Sequence, residues 1–206
     1  MTEIEFKFEI PQQRLSALQK DFARAKTQRT HLQARYFDTA DGTLSKNNAA
    51  LRLRKEGRRW VQTAKALGDG PLHRLEHNVD LGVSRAGVPV QVDARRHAGT
   101  PVGEMLERLL GDAPLVETFA TDIWRTTRQA RLGRSIVELA LDDGRVVAPA
   151  SNGKPERASV VRELELELVS GSVADLVALA QRWSQRHGLW FSTVSKAERG
   201  ERLRQA

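Results

Sequence analysis

The 206-residue sequence contains no cysteine, and aromatic side chains make up only 5% of its residues. Without cysteine, disulfides and thiolate metal sites are excluded, so carboxylate and histidine side chains remain as the metal ligands. No stretch of about 18 consecutive apolar residues occurs, and the N-terminus lacks a basic patch followed by an apolar run. The sequence therefore predicts a cytoplasmic protein that is not associated with a membrane.

Charged residues make up 29% of the chain and hydrophobic residues 40%, a balance typical of an ordinary globular protein. The length predicts a single domain spanning residues 1–206. The net charge of +7 suits nucleic acid, an acidic surface or a small polyanion equally well. Many basic residues alternate with apolar ones along strand-like runs, which indicates one face of a sheet.

The hydrophobic pattern predicts an all-β-dominated α+β fold. Strand-like runs occur near residues 3–10, 32–37, 50–56, 59–66, 74–81, 122–130, 134–141, 144–149 and 160–169. Asp143-Gly144 reads as a tight hairpin turn between two of them. Three helices are predicted, after Pro11, between Pro101 and Gly111, and between Ser172 and Gly188. Residues 95–99 are predicted to be an exposed loop, and residues 201–206 the start of a linker.

Two runs place several carboxylates on one face of a strand. Glu3, Glu5, Lys7 and Glu9 alternate with apolar residues, and Glu163, Glu165 and Glu167 alternate with leucines. Either run alone is compatible with a half-buried strand whose charged face is solvated. Like charges two residues apart repel, however, so their concentration favours a bound cation such as Mg²⁺ or Mn²⁺.

Basic side chains follow the same alternation. Arg52 and Arg54 share one face, Lys65 lies on a later run, Arg74 shares a face with Glu76, and Arg125, Glu138 and Asp142 follow. Each alone is compatible with a surface charge. Together they favour charged faces that point into a closed barrel, although periodicity leaves inside and outside undecided.

The segment Glu3-Ile4-Glu5-Phe6-Lys7 resembles the Glu-x-Glu-x-Lys signature of the CYTH superfamily, also called triphosphate tunnel metalloenzymes. Further similar blocks follow in order over about the whole chain: Tyr36-Phe37-Asp38-Thr39, Leu51 to Arg54, Thr63 to Lys65, Arg74 with Glu76, Arg125, Glu138 to Gly144, Glu163 to Glu167, and Ser195 to Ala197. The resemblance implies a closed eight-stranded antiparallel β-barrel, the triphosphate tunnel, surrounded by helices. It is closest to the bacterial inorganic triphosphatases, in which a helical CHAD domain often follows; a domain of that type is missing from this chain.

The resemblance also implies roles for individual residues. Divalent cations, Mg²⁺ or Mn²⁺, would be held by Glu3, Glu5, Glu163, Glu165 and Glu167. The triphosphate would be bound by Lys7, Arg52, Arg54, Lys65, Arg74, Arg125 and Lys196. Glu76, Glu138 or Asp142 would place the attacking water. The chain departs from the family pattern at Thr127, where many members carry a second basic residue, and alternation places Arg128 on the opposite face.

The predicted activity is metal-dependent hydrolysis of inorganic tripolyphosphate to pyrophosphate and phosphate. Thiamine triphosphatase, class IV adenylate cyclase and a noncatalytic polyphosphate- or nucleotide-binding module remain as alternatives. A nucleic-acid partner is not expected, because the interleaved carboxylates would repel its phosphates in the absence of a metal. The five histidines lack the spacing of a zinc site and are interpreted as surface or loop residues. The sequence does not indicate an oligomeric state.

Overall fold

One antiparallel sheet dominates the fold. The computed structural model describes residues 2–70, 73–84, 88–150 and 155–206, without the side chains of residues 2–3, 68–70 and 73–74. Nine strands are found in these ranges. They are β1 (Thr2–Glu9), β2 (Gln28–Asp38), β3 (Ala49–Glu56), β4 (Arg59–Gly70), β5 (His73–Val83), β6 (Val116–Leu132), β7 (Ser135–Ala148), β8 (Arg157–Ser170) and β9 (Trp190–Phe191). Their order in the sheet is β5-β4-β3-β2-β6-β7-β8-β1-β9.

The predicted α+β class is confirmed, but the predicted closed eight-stranded barrel needs correction. The sheet has nine strands and is not closed into a barrel, because its order ends at β5 and β9. β1 makes a short additional pairing with β5, from Thr2 opposite Leu75 to Ile4 opposite His73. The far end of β1 pairs instead with β9, where Phe8 lies opposite Phe191. Because β1 divides its pairing between these two strands, β5 and β1 meet only along three residue pairs.

The predicted hairpin at Asp143-Gly144 is wrong, because both residues lie inside the continuous strand β7. A Cβ atom at Gly144 would lie 2.1 Å from the carbonyl oxygen of Asp122 on β6. Glycine here permits a close approach of two strands rather than a turn. The turn into β7 lies earlier, at Gly133-Arg134, where Gly133 has a φ of +57° that favours glycine.

Five α-helices are found in the described ranges, together with a 3₁₀ helix at Ala94–His97. They are α1 (Gln12–Phe22), α2 (Thr43–Lys46), α3 (Pro101–Leu110), α4 (Val173–His187) and α5 (Lys196–Gln205). The three predicted helices correspond to α1, α3 and α4. The Ser172 hydroxyl accepts a hydrogen bond from the Asp175 backbone N–H at the start of α4, and Gly188 ends that helix in the left-handed conformation.

Four helices cover one face of the sheet, which we call the outer face. α1 and α4 pack against Phe8, Leu139 and Leu164, and α2 and α3 pack against Leu51 and Ala64. These strand residues occupy the apolar positions of the alternating pattern. Their charged neighbours therefore point to the opposite face, which we call the inner face. No helix in the described part of the chain is long and apolar enough to cross a membrane.

Residues 201–205 lie in α5, so their prediction as a linker is wrong. α5 packs on an apolar part of the inner face that includes Tyr36, Phe119 and Val146. A Cβ atom at Gly200 would lie 2.3 Å from the Phe119 ring, so glycine allows the helix to approach closely. This packing brings the N-terminal end of α5, which starts at Lys196, over the charged part of the inner face.

The predicted exposed loop at residues 95–99 is wrong at His97, whose side chain is fully buried. Its Nε2 lies 2.9 Å from Gln62 Nε2, and its Nδ1 lies 3.0 Å from His77 Nδ1. His187 is also buried and contacts Asp21 at 3.0 Å. Two histidines interpreted as surface or loop residues thus lie inside, because polar partners distant in sequence satisfy their ring nitrogens.

Candidate functional site

The inner face brings the predicted charged residues together across neighbouring strands. Lys7 lies opposite Glu165, Lys65 opposite Glu76, Arg125 opposite Asp142, and Glu167 opposite both Glu5 and Glu138. Residues directly opposite each other in an antiparallel pair have Cβ atoms about 5 Å apart, so their charges interact. The alternation in the sequence therefore predicted correctly which side chains share a face.

The first group, which we call the ion-pair network, consists of Asp142, Glu163, Glu165, Arg125 and Lys196. Lys196 Nζ lies 2.8 Å from Asp142, 2.6 Å from Glu163 and 2.8 Å from Glu165. Arg125 makes two parallel hydrogen bonds of 2.7 Å to Asp142 and also contacts Glu165. Asp142 and Glu163 are fully buried. Each carboxylate therefore has a cation supplied by the chain itself.

The electrostatics of the network agree with this pairing. Burial opposes the charge of Lys196, but Asp142 and Glu165 outweigh it and raise the lysine pKa well above its ordinary value. Burial also opposes ionisation of Glu165, yet Arg125 and Lys196 hold the pKa of its carboxyl well below the usual range. Lys196 and Glu165 are therefore ionised at neutral pH.

The network carboxylates are poorly suited to hold a metal ion as well. Oxygens of Asp142, Glu163 and Glu165 lie within 4.8 Å of one another, close enough for one cation to bridge them. Lys196 already contacts all three of them, however. A divalent ion would have to displace this buried ammonium group, which would then lose its hydrogen bonds.

The second group, which we call the open carboxylate cluster, consists of Glu5, Glu138 and Glu167 on three adjacent strands. Glu138 and Glu167 make no hydrogen bond or ion pair within the part of the chain that the structure describes. Burial, Glu5 and Glu138 together raise the pKa of Glu167. Mutually repelling carboxylates with oxygen-only chemistry are the donor set that suits Mg²⁺ or Mn²⁺. The residues of this cluster therefore fit the implied metal.

Two arginines of β3 share the inner face with this cluster. The buried Nε of Arg52 has no hydrogen-bond partner among the described residues, and its Nη1 lies 3.4 Å from the Tyr36 hydroxyl. Burial and the charge of Arg52 lower the pKa of Arg54 to about 10. Arg54 Nε donates a hydrogen bond of 2.7 Å to Glu56, whereas Arg52 keeps its Nε donor unused. An unused guanidinium donor suits an anion with several oxygens.

The remaining predicted residues have partners in the protein or lie outside the description. Lys65 forms an ion pair with Glu76 across β4 and β5. Lys7 donates a hydrogen bond to the Val194 carbonyl, and burial lowers its pKa. Glu3 and Arg74 are opposite each other in the β1–β5 pairing, but their side chains are among those that the structure does not describe.

Sequence reasoning missed Arg199, which binds Glu9 at 2.9 Å and Glu163 at 3.3 Å. The spacing of Arg199 from Lys196 was the available signal, because residues three apart share one face of a helix. Arg128 lies on the outer face as alternation predicted, with its Nη1 3.1 Å from the Asp21 carbonyl oxygen.

Comparisons with known proteins identify the family of this chain. The CYTH domain family matches residues 1–200. An inorganic triphosphatase from Haemophilus influenzae is 30% identical over 173 residues, which cover 80% of this chain and 44% of the relative. The chain thus spans less than half the length of that relative.

Solved structures show the same fold at low sequence identity. HpAC1 from Hippeastrum, described as an adenylyl cyclase candidate with a dominant triphosphatase activity, has a TM-score of 0.64 at 16% identity and covers 97% of this chain and 96% of its own. The PH1012 protein from Pyrococcus horikoshii OT3 has a TM-score of 0.53 at 16% identity, with coverage of 95% and 98%.

Proposed function

This chain belongs to the CYTH domain family, and we propose that it hydrolyses inorganic tripolyphosphate to pyrophosphate and phosphate with a divalent cation. The observation that carries the proposal is the position of Arg52, with an unused buried donor, on the same inner face as the open carboxylate cluster. Glu76 acts electrostatically on both Arg52 and Glu167, which supports their closeness. Basic and acidic groups that are not fully neutralised by each other are what a metal–triphosphate complex needs.

We assign the metal to Glu5 and Glu167, with Glu3 as a further ligand candidate. When bound, a divalent cation would offset the charge of the phosphate oxygens and polarise the scissile phosphoryl group. Glu163 and Glu165 were also predicted as metal ligands. Their hydrogen bonds to Lys196 support a positioning role in the ion-pair network instead.

We assign substrate binding to Arg52 and Arg54, whose forked donors match phosphate oxygens. Lys65 and Arg74 are proposed to complete the phosphate site. Arg125 and Lys196 are proposed to act through the ion-pair network, because each contacts two or more of its carboxylates. Lys7 is proposed to act there too, because Glu163 and Glu165 act on its charge.

The water-positioning role goes to Glu138 among the three predicted candidates. Asp142 accepts two hydrogen bonds from Arg125, and Glu76 is paired with Lys65. Glu138 keeps its acceptor oxygens available within the described residues, so it can accept a hydrogen bond from the attacking water.

The positions of two aromatic side chains support a bare polyphosphate substrate. The Tyr36 ring stacks on Phe119 with ring centroids 4.4 Å apart inside an apolar cluster, and Trp60 lies on the outer face, so neither offers a surface for a nucleobase. We propose that one domain of residues 1–206 holds this substrate on the inner face of the sheet.

The test is phosphate release from tripolyphosphate, ATP and thiamine triphosphate, each with Mg²⁺, Mn²⁺ or EDTA. We expect metal-dependent release that is fastest from tripolyphosphate. Arg52→Gln should lower kcat/KM by about 100-fold, since it removes a charged phosphate contact. Arg58→Gln, on the exposed β3–β4 turn, is the matched control and should leave kcat/KM unchanged. Fastest turnover of ATP or thiamine triphosphate, or tight binding of tripolyphosphate without release, would contradict the proposal.

A further inference from the structure

A cavity of about 320 Å³ lies on the outer surface, between α4 and β6 at the end of α1. Its charged lining consists of Arg128, Arg131, Arg182, Arg186 and Asp21, and Trp183 forms part of its wall. Arg128 of β6 contacts Asp21 of α1 on the outer face, whereas Arg125 points inward to Asp142. The cavity therefore lies apart from the inner-face site.

The one carboxylate in the lining is already shared by several groups. Asp21 lies 3.0 Å from His187 Nε2, 3.2 Å from Arg186 Nε and 3.6 Å from Arg24 Nη1. It thus has little capacity left to neutralise the other arginines. The cavity keeps an excess of positive charge.

Arg128 lines the cavity and is held there by three contacts. Its guanidinium carbon lies 5.1 Å from the Trp183 ring centroid and 5.3 Å from that of Phe22, while Nη1 donates to the Asp21 carbonyl. Its buried Nε has no hydrogen-bond partner within the described residues. An arginine beside the C-terminal end of a helix is commonly explained by the helix dipole. This explanation fits Arg128, which donates to the Asp21 carbonyl in the last turn of α1.

The dipole does not explain Arg131 and Arg182 equally well. Both side chains are exposed, and neither makes an ion pair or hydrogen bond among the residues that the structure describes. Arg182 lies four residues before Arg186 on α4, so the two share one face of the helix. Concentrating unpaired arginines around one cavity is electrostatically unfavourable unless an anion binds there.

We propose that this arginine-lined cavity binds a phosphate-bearing anion, at a site separate from the inner face. Arginine forks bind phosphate oxygens in pairs, and the excess positive charge favours a multiply charged anion over a monocarboxylate. The cavity volume accommodates a small inorganic anion such as orthophosphate or pyrophosphate. Arg131 and Arg182 provide the free donors, and Arg128 provides a fixed one. This site does not depend on the proposed catalytic activity.

The test is calorimetric titration of the full chain with pyrophosphate in EDTA, so that hydrolysis does not interfere. The double variant Arg131→Ala/Arg182→Ala should lose one binding event or bind at least about 10-fold more weakly there. Arg52→Gln should leave that event intact. The control Arg58→Ala/Arg108→Ala removes the same charge from exposed positions elsewhere and should bind like the wild type.

A second readout uses Trp183, whose fluorescence should change when the anion binds beside it. The change should persist in Arg52→Gln and disappear in the Arg131→Ala/Arg182→Ala variant. The proposal is overturned by any of three results: no pyrophosphate binding by the wild type outside the inner face, unchanged binding by the cavity variant, or an equal loss in the charge-matched control. The last result would mean that the anion responds only to net charge.

Discussion

Two groups of carboxylates share the inner face, yet the chain treats them differently. In the ion-pair network, Lys196 contacts three carboxylates and Arg125 contacts two of them. In the open carboxylate cluster, Glu138 and Glu167 make no ion pair or hydrogen bond among the described residues. Burial, Glu5 and Glu138 raise the pKa of Glu167 although Lys65 lowers it. The two groups meet on one strand, where Glu165 and Glu167 are two residues apart.

Because the strand geometry is the same for both glutamates, their surroundings make the difference. α5 places Lys196 beside Glu165 and leaves Glu167 facing other carboxylates. Carboxylates that are paired with a cation of the chain can hold neighbouring groups in place. Carboxylates that repel one another are instead stabilised when a cation binds between them. This contrast separates residues that the alternating pattern alone made equivalent.

The largest expected effect comes from removing the central cation of the network. Lys196→Met should lower the free energy of unfolding by about 3–5 kcal/mol, since it leaves the buried Asp142 and Glu163 without this partner. Denaturant unfolding at pH 7 in EDTA measures the change. Lys26→Met, at an exposed position, is the control and should shift stability by no more than about 0.5 kcal/mol. A stable Lys196→Met protein would show that the network does not need its cation.

The two neighbouring glutamates allow a direct comparison. Glu165→Gln in EDTA should lower the free energy of unfolding by about 2–3 kcal/mol, because it weakens the charged bonds to Arg125 and Lys196. Glu167→Gln should be at least as stable as the wild type at pH 7. The raised pKa of Glu167 means that its ionised form is disfavoured in the folded state, so removing the charge relieves repulsion. Equal losses in both variants would contradict the contrast.

Metal affinity should show the reverse order. Glu167→Gln should weaken Mn²⁺ binding by about 10- to 100-fold, because a charged ligand is lost. Glu165→Gln should weaken it less, and Glu107→Gln on the exposed side of α3 should have no effect. Calorimetry or the free Mn²⁺ signal in electron paramagnetic resonance measures the affinity. A larger loss in Glu165→Gln would move the metal into the ion-pair network.

Much of the inner face could be predicted from the sequence, because strand alternation has a period of two and needs no knowledge of the partner strand. It placed Arg52 and Glu165 on charged faces and Arg128 on the opposite one. Helix starts were equally local signals, since Pro11 and Ser172 mark them through their own backbone and side-chain chemistry.

Contacts between distant segments could not be predicted. Lys196 lies 33 residues from Glu163 along the chain, and no local pattern indicates that they meet. His97 lies 35 residues from Gln62, so a segment that resembles a loop is buried by a partner the pattern does not reveal. Gly144 misled for a related reason, because a glycine at a turn and a glycine where strands approach closely look the same in sequence.

The smallest expected effect concerns a third polar cluster, of His97, Gln62 and His77, which contains no carboxylate. His97 is fully buried beside Gln62 and His77, and burial followed by His77 and Arg96 lowers its pKa to about 4. The unfolded chain therefore binds a proton below about pH 6.5 that the folded protein does not take up until about pH 4. This contribution of His97 to stability is complete above pH 6.5 and is lost as the pH falls toward 4.

The free energy of unfolding should fall on the order of 1 kcal/mol between pH 7 and pH 5.5. Denaturant unfolding across this range should show a flatter dependence in His97→Gln, whose amide does not titrate. Parallel curves for both proteins would assign the pH dependence to another group and would contradict the lowered pKa of His97.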